Sequence, residues 1–234
     1  MSKGMRRFWK QATAINNGEN WQILLDGRQV RTPAGAELNL PTAALAEAVS
    51  DEWQAQQDEI DATTMPCFGF AVTAIDRVMP QRDMVIDELS RYGAFDLLCQ
   101  REGDDLQLAA EQHRLWQPWL DWADQDLQAR LETTEGIMPL KQADNAVNRL
   151  RGVIAGHDDF RLAGLHQLVT VSGSLVLGLA IGQNRLSAGE GFDLAFLDET
   201  WQAGKWGMDD EAEARRHRLR TAMSHASKYL HLLG

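Results

Sequence analysis

Around Thr42 the spacing of apolar residues changes from every second position to every third or fourth, so strands must come first in this chain and helices afterwards. Before that point Trp21, Ile23 and Leu25 alternate with Gln22 and Leu24, the pattern of a strand with one buried face. Segments 8–15, 21–25 and 28–31 are separated by Asn16-Asn17-Gly18 and Asp26-Gly27, and Asx-Gly pairs supply the positive φ angles that tight hairpins need. An antiparallel meander follows, with Leu38-Asn39-Leu40 as a short fourth strand before Pro41. After Thr42, residues Leu45, Val49 and Trp53 make one apolar stripe on a helix that ends near Gln57 and covers the sheet. The polar stretch 56–64, closed by Met65-Pro66, marks a domain boundary. The expected class is therefore α+β. Residues 1–62 form a small N-terminal domain, an antiparallel β-meander with a covering helix, and residues 63–234 form a larger, irregular, all-α domain.

Helical spacing dominates the second part, over 68–78, 81–92, 106–131 with Pro118 as a kink, 143–154, 160–183, 187–203 and 209–233. Residues 95–100 fit a strand or a helical extension equally well. Ser187 and Glu190 have the spacing of a capping box. Segment 168–181 is uncharged but shorter than the roughly 20 residues a bilayer requires, so it reads as a buried helix whose Ser174, Gly178 and Gly182 let a neighbour approach closely. The last helix places Asp209, Asp210, Glu211 and Glu213 at its positive end. Its Arg215, Arg216, Arg218 and Arg220 are expected to form a solvated face, opposite a stripe of Leu219, Met223, Ala226, Leu230 and Leu233.

Charge and composition narrow the function. Lys plus Arg is 23 against 34 for Asp plus Glu, and a net charge of −11 repels phosphate backbones and anionic membranes, so neither nucleic acid binding nor membrane insertion is expected. The basic start, MSKGMRRFWK, lacks a following apolar stretch and is not expected to be a secretory signal. Cys67 and Cys99 suit reduced thiols better than a disulfide or a zinc site. No cofactor and no metal is expected: the phosphate-cradling loop G-x-x-x-x-G-K-[ST] is missing, and the histidines include no H-E-x-x-H. His166 reads as a core histidine. Ser172-Gly173-Ser174 fails as a nucleophile elbow, because its flanks are helical rather than strand and helix. The remaining catalytic candidate is the pair Asp121 and Asp124 beside Trp116, Trp119 and Trp122, the material of a hydrolase with carboxylates in an aromatic cleft. Its plainer reading makes the tryptophans core anchors and leaves the aspartates in water.

The stretch FLDETWQAGKWG, residues 196–207, stands out. On one continuous helix over 187–203, Leu194, Leu197 and Trp201 form one apolar stripe while Phe192, Phe196 and Ala203 fall on the opposite side. Such a helix is either sandwiched within its own domain, to which the pattern leans, or keeps one face for a partner. Trp206 between Gly204 and Gly207, next to lone carboxylates, is poor material for catalysis and suits recognition of a basic or N–H-rich surface.

Stretches spread along the chain resemble one family. They are Arg7-Phe8-Trp9-Lys10, segment 24–33 (LLDGRQVRTP), Leu40-Pro41-Thr42, Glu52-Trp53, Met65-Pro66, segment 73–77 (TAIDR), segment 96–99 (DLLC), Gly136-Ile137-Met138-Pro139, segment 172–177 (SGSLVL), Leu197-Asp198-Glu199, Trp201-Gln202 and Trp206-Gly207. In order and spacing they resemble the assembly chaperones of the alpha subunit of the F-type ATP synthase catalytic head. The resemblance implies a non-enzymatic protein, monomeric when free, that binds the free alpha subunit and masks its beta-facing surface until the hexamer forms. It also implies a bacterial cytoplasmic location, with a mitochondrial matrix one for eukaryotic relatives. Carried over residue by residue, Glu199 and then Asp198 are the expected client-binding positions, joined by Gln202, Trp206, Gly207 and Trp53, the last equally suited to a structural role. Cys67-Phe68-Gly69-Phe70 departs from the family's more polar loop, so no client contact is carried over there.

Overall fold

The computed structural model describes residues 6–135 and 140–234. Gly136-Ile137-Met138-Pro139, one of the stretches behind the family resemblance, lies outside the described residues. The architecture is α+β, with a three-stranded antiparallel sheet at the start and helices after it. The chain divides into two compact units, residues 1–82 with 159–164 and 228–234, and residues 83–158 with 165–227.

In the first unit, β1 (Ala12–Asn16), β2 (Trp21–Leu25) and β3 (Arg28–Gln29) form the meander. Ala12 pairs with Leu25, and Leu25 with Arg28. Asp26 (φ 47) and Gly27 (φ 82) take the positive φ angles of a two-residue hairpin turn. The Asp26 carboxylate accepts the Lys10 and Gln11 N–H groups, both at 2.9 Å, and these bonds hold its pKa down. The expected fourth strand is only a bridge between Trp21 and Leu40, because Pro41 ends the ladder at once. α1 (Ala43–Gln54) opens on Thr42, whose side chain accepts the Leu45 N–H, and buries Leu45, Ala46, Val49 and Trp53. Ile23, Leu25, Leu38 and Leu40 complete this core.

α2 (Pro66–Thr73) has no side-chain cap of its own. Glu52 of α1 supplies one, accepting the Cys67 and Phe68 N–H groups at 2.8 Å each. A π-helical turn at Ala74–Val78 and a 3-10 turn at Met79–Gln81 lead into α3 (Arg82–Ala94). The π turn carries Asp76, which accepts from Thr32 Oγ1 at 2.7 Å and from the Ala34 N–H at 3.1 Å.

In the second unit, residues 95–100 resolve into a 3-10 turn at Leu97–Cys99 and β4 (Gln100–Arg101), which pairs in parallel with β5 (Thr134–Glu135). α4 (Leu106–Leu127) holds Pro118 within one continuous helix and ends at Gln128 (φ 55), earlier than the spacing suggests. α5 is Asp144–Ala155.

The expected helix over 160–183 is two: α6 (Asp159–Ser172) and α7 (Leu175–Gly182), broken where Gly173 (φ 68) turns left-handed and Ser174 caps α7. Every residue of α7 from Leu175 to Ile181 is buried. A Cβ at Gly178 would lie 2.5 Å from Val169 Cγ2, so the expected close approach is made by α6.

The expected helix over 187–203 also divides, into α8 (Ala188–Ala195) and α9 (Leu197–Trp206), with Phe196 at the joint. The capping box of Ser187 and Glu190 is present. α10 is Asp210–Leu232. No described helix is long and apolar enough to cross a membrane.

Candidate functional site

The break at Phe196 decides what α9 presents. Phe192 and Phe196 stack at 4.2 Å and are buried, as is Leu194, while Leu197 and Trp201 of the other expected stripe are part-buried. Two of the four arginines of α10, Arg216 and Arg220, close over the two phenylalanines, while Arg215 and Arg218 are exposed as the expected solvated face requires. Arg220 lies 4.5 Å from the Phe192 ring centre and pairs with Asp193, and Arg216 stacks over Phe192 and Phe196 while donating to Thr200 Oγ1 at 2.7 Å. A guanidinium is weakly hydrated and lies flat on an aromatic face, which explains why cations go to these rings.

Asp198 and Glu199, neighbours at the start of α9, have different environments. Asp198 is half-buried and accepts from Gln112 Nε2 of α4 at 2.8 Å. Burial raises its pKa, opposed by that hydrogen bond. Glu199, also only part-exposed, meets Arg215 of α10 at 3.5 Å.

Towards the end of the helix, Gln202 is exposed, Trp206 is 84 % exposed and Gly207 takes φ 84, an angle that glycine adopts without strain. Glu199, Gln202, Trp206, Gly207, Met208 and Asp209 line one hollow of about 230 Å³. Met208 and Asp209 are not among the expected client-binding positions, and Asp209 reads along the chain only as an acid at the start of the last helix. They follow Trp206-Gly207 directly, and that adjacency is the signal that could have found them.

Trp53 belongs to the first unit, where it is 8 % exposed and packs edge-on to Trp9 and Phe68 at 5.1 Å each. The structure thus gathers Glu199, Gln202, Trp206 and Gly207, ties Asp198 inward beside them, and makes Trp53 part of an aromatic core.

The carboxylate pair has no aromatic cleft. Asp121 and Asp124 are exposed and line a polar hollow of about 440 Å³ with Gln117, Arg130 and Glu132. The tryptophans lie elsewhere: Trp116 is buried and donates to the Leu194 carbonyl at 3.0 Å, Trp122 donates to Asp126, and Trp119 lines a separate apolar groove of about 560 Å³ with Leu115, Leu194 and Leu197. His166 is only part-buried and faces Glu88 at 3.4 Å. Among the described residues no cluster of His, Cys, Asp and Glu could hold a metal ion.

Comparison with known proteins adds a family. The family model described as ATP12 chaperone protein matches residues 6–124. The mitochondrial protein atp12 of Schizosaccharomyces pombe is 25% identical over 227 residues, covering 88% of this chain and 75% of its own length. The crystal structure of Atp12 from Paracoccus denitrificans aligns with a TM-score of 0.95 at 41% identity over 98% of both chains. The Atu1473 protein of Agrobacterium tumefaciens aligns with a TM-score of 0.92 at 37% identity, over 98% of this chain and 86% of that one.

Proposed function

Because the chain belongs to the ATP12 chaperone family, we propose that it assists assembly of the F-type ATP synthase by binding the free alpha subunit through the outer face of α9. The client's beta-facing surface stays masked until the hexamer forms, and the chaperone, monomeric when free, then leaves. It works without catalysis and without a cofactor, in the bacterial cytoplasm. The observation that carries this reading is the end of α9, where a tryptophan 84 % exposed stands beside Glu199 and Gln202. Tryptophan is prominent among the residues that dominate protein interfaces, and here it stands beside an acid and an amide that can fix a partner's orientation. Glu199 is the leading contact, with Gln202, Trp206 and Gly207 around it. Asp198 acts through its hold on Gln112, and Trp53 by keeping the core of its own unit in shape.

The test is aggregation of purified alpha subunit followed by light scattering. Wild-type protein should suppress the scattering and co-elute with the client on a sizing column. Glu199→Lys should weaken protection by about tenfold or more while the circular dichroism spectrum is unchanged, since a buried charge pair broken at an interface costs about 2–5 kcal/mol. Absence of both protection and complex formation by the wild type would reject the proposal.

A further inference from the structure

The second unit twice builds the same three-part arrangement. Trp201 Nε1–H donates to Asp105 Oδ2 at 3.0 Å, the Lys205 ammonium donates to that same oxygen at 2.5 Å, and Lys205 lies 5.4 Å from the Trp201 ring centre. Trp122 Nε1–H donates to Asp126 Oδ2 at 2.9 Å, Arg185 meets the same oxygen at 2.8 Å, and its guanidinium lies 5.8 Å from the Trp122 ring. In each case an indole face and a carboxylate together hold one cation, because the ring's negative face and the carboxylate attract it from different sides.

Trp206 has acids beside it but, among the described residues, no carboxylate bonded to its indole N–H and no cation over its ring. It lines one hollow with the acids Glu199 and Asp209 and with Met208. Asp209 Oδ1 accepts the Ala212 N–H at 2.7 Å. Of the nearby cations, Lys205 is held by Asp105 over Trp201, whereas Arg215 reaches Glu199 of the hollow itself at 3.5 Å with its side chain still 57% exposed. The hollow of about 230 Å³ has room for one long side chain.

We propose that this hollow is a seat for a single arginine side chain of the client, its guanidinium lying on the Trp206 ring and bonded by Glu199 and Asp209. Charge complementarity selects the occupant, since a purely apolar side chain would leave two carboxylates facing it and an acidic one would be repelled. A guanidinium also stacks flat and forks towards two acceptors, which an ammonium does not. Arg215 is the internal competitor for Glu199 and turns outward when the seat fills. The inference relies on the proposed function only for the identity of the client.

The probe is the peptide acetyl-Gly-Arg-Gly-amide, compared with its citrulline counterpart, which is neutral and of nearly the same shape. Full-length protein is labelled with 5-fluorotryptophan, and the Trp206 fluorine resonance is identified by its loss in Trp206→Phe. At low ionic strength the arginine peptide should shift that resonance saturably and at least about threefold more than the citrulline peptide does. The difference should vanish in the double variant Glu199→Gln, Asp209→Asn, in which the other fluorotryptophan resonances report an intact fold. Arg215→Gln should tighten binding of the arginine peptide by about twofold to fivefold. Equal shifts by both peptides, or a shift that survives the double variant, would overturn the seat. If the arginine peptide binds as expected while the alpha subunit is not protected, the seat stands and the client assignment falls. If the alpha subunit is protected and no arginine-specific shift occurs, the seat falls and the client assignment stands.

Discussion

Asp96 is only 1 % exposed, yet its carboxylate accepts the Leu98 N–H at 3.1 Å and the Val176 N–H at 3.0 Å, so one side chain ties the 3-10 turn to the start of α7. Burial pushes its pKa up to about 6 despite the hydrogen bonds from Val176, Ser174 and Leu98, which favour the ionised form. A raised folded pKa means that the folded state holds the proton more tightly than the unfolded chain, whose value is near 3.8. This group's contribution to stability is therefore greatest below about pH 4, falls between about pH 4 and 6, and is constant above that range; the loss is on the order of 3 kcal/mol. Thermal melts of the wild type and Asp96→Asn from pH 4 to pH 7.5 should show the wild type losing stability relative to the variant across that window, and no further relative loss above it. A difference independent of pH would refute the assignment. Cys67 and Cys99 are buried with thiols pushed up to about 12, which removes them from thiolate chemistry.

Among the elements, the helix breaks matter most. α6 and α7 are separate because Gly173 adopts φ 68 and Ser174 then accepts the Leu177 N–H at 3.0 Å. The turn lets the two helices fold back onto one another with Gly178 against Val169. Gly178→Ala should destabilise the protein by about 1–3 kcal/mol, because the added methyl has no room. Val169→Ala should recover part of that loss in the double variant, and chemical denaturation of the four proteins measures the coupling. Additive effects would mean that Val169 is not the obstacle. The break at Phe196 has the opposite consequence for function. With both phenylalanines turned inward, one side of α9 presents Glu199, Gln202 and Trp206, while Leu197 lines the separate apolar groove with Trp119.

At the scale of the molecule, a net charge of −11 sets the long-range behaviour. Encounter with a client surface carrying arginine would be accelerated by attraction and slowed by salt, because the screening length shrinks from about 30 Å at 0.01 M to about 10 Å at 0.1 M ionic strength. Stopped-flow association with the alpha subunit should slow by about tenfold or more between 20 and 200 mM salt, while dissociation changes much less. A rate insensitive to salt would place the acidic surface outside the encounter. The same measurement on Asp121→Asn with Asp124→Asn should give nearly wild-type dissociation, since those exposed carboxylates line a hollow separate from that of Trp206.

Much of this was legible along the chain. The change of period at Thr42, the Asp26-Gly27 turn, the stripe of Leu45, Val49 and Trp53, and the Ser187 and Glu190 cap are local, because each depends on residues within a few positions of one another. Trp206 between glycines stood out along the chain as well, but its place on α9 beside Glu199 did not, because the helix reads as ending at Ala203 whereas α9 continues to Trp206. What depended on tertiary structure was every pairing across long separations. Glu52 caps α2, Asp96 holds α7, Gln112 turns Asp198 inward, and Arg216 and Arg220 cover the phenylalanines of α8 and its joint with α9. Periodicity assigns a residue to a face of its own helix and carries no information about what the rest of the chain brings to that face. For that reason two of four arginines read as solvated, Arg216 and Arg220, lie on aromatic rings, and a helix read as continuous breaks at Phe196, where the two phenylalanines are buried.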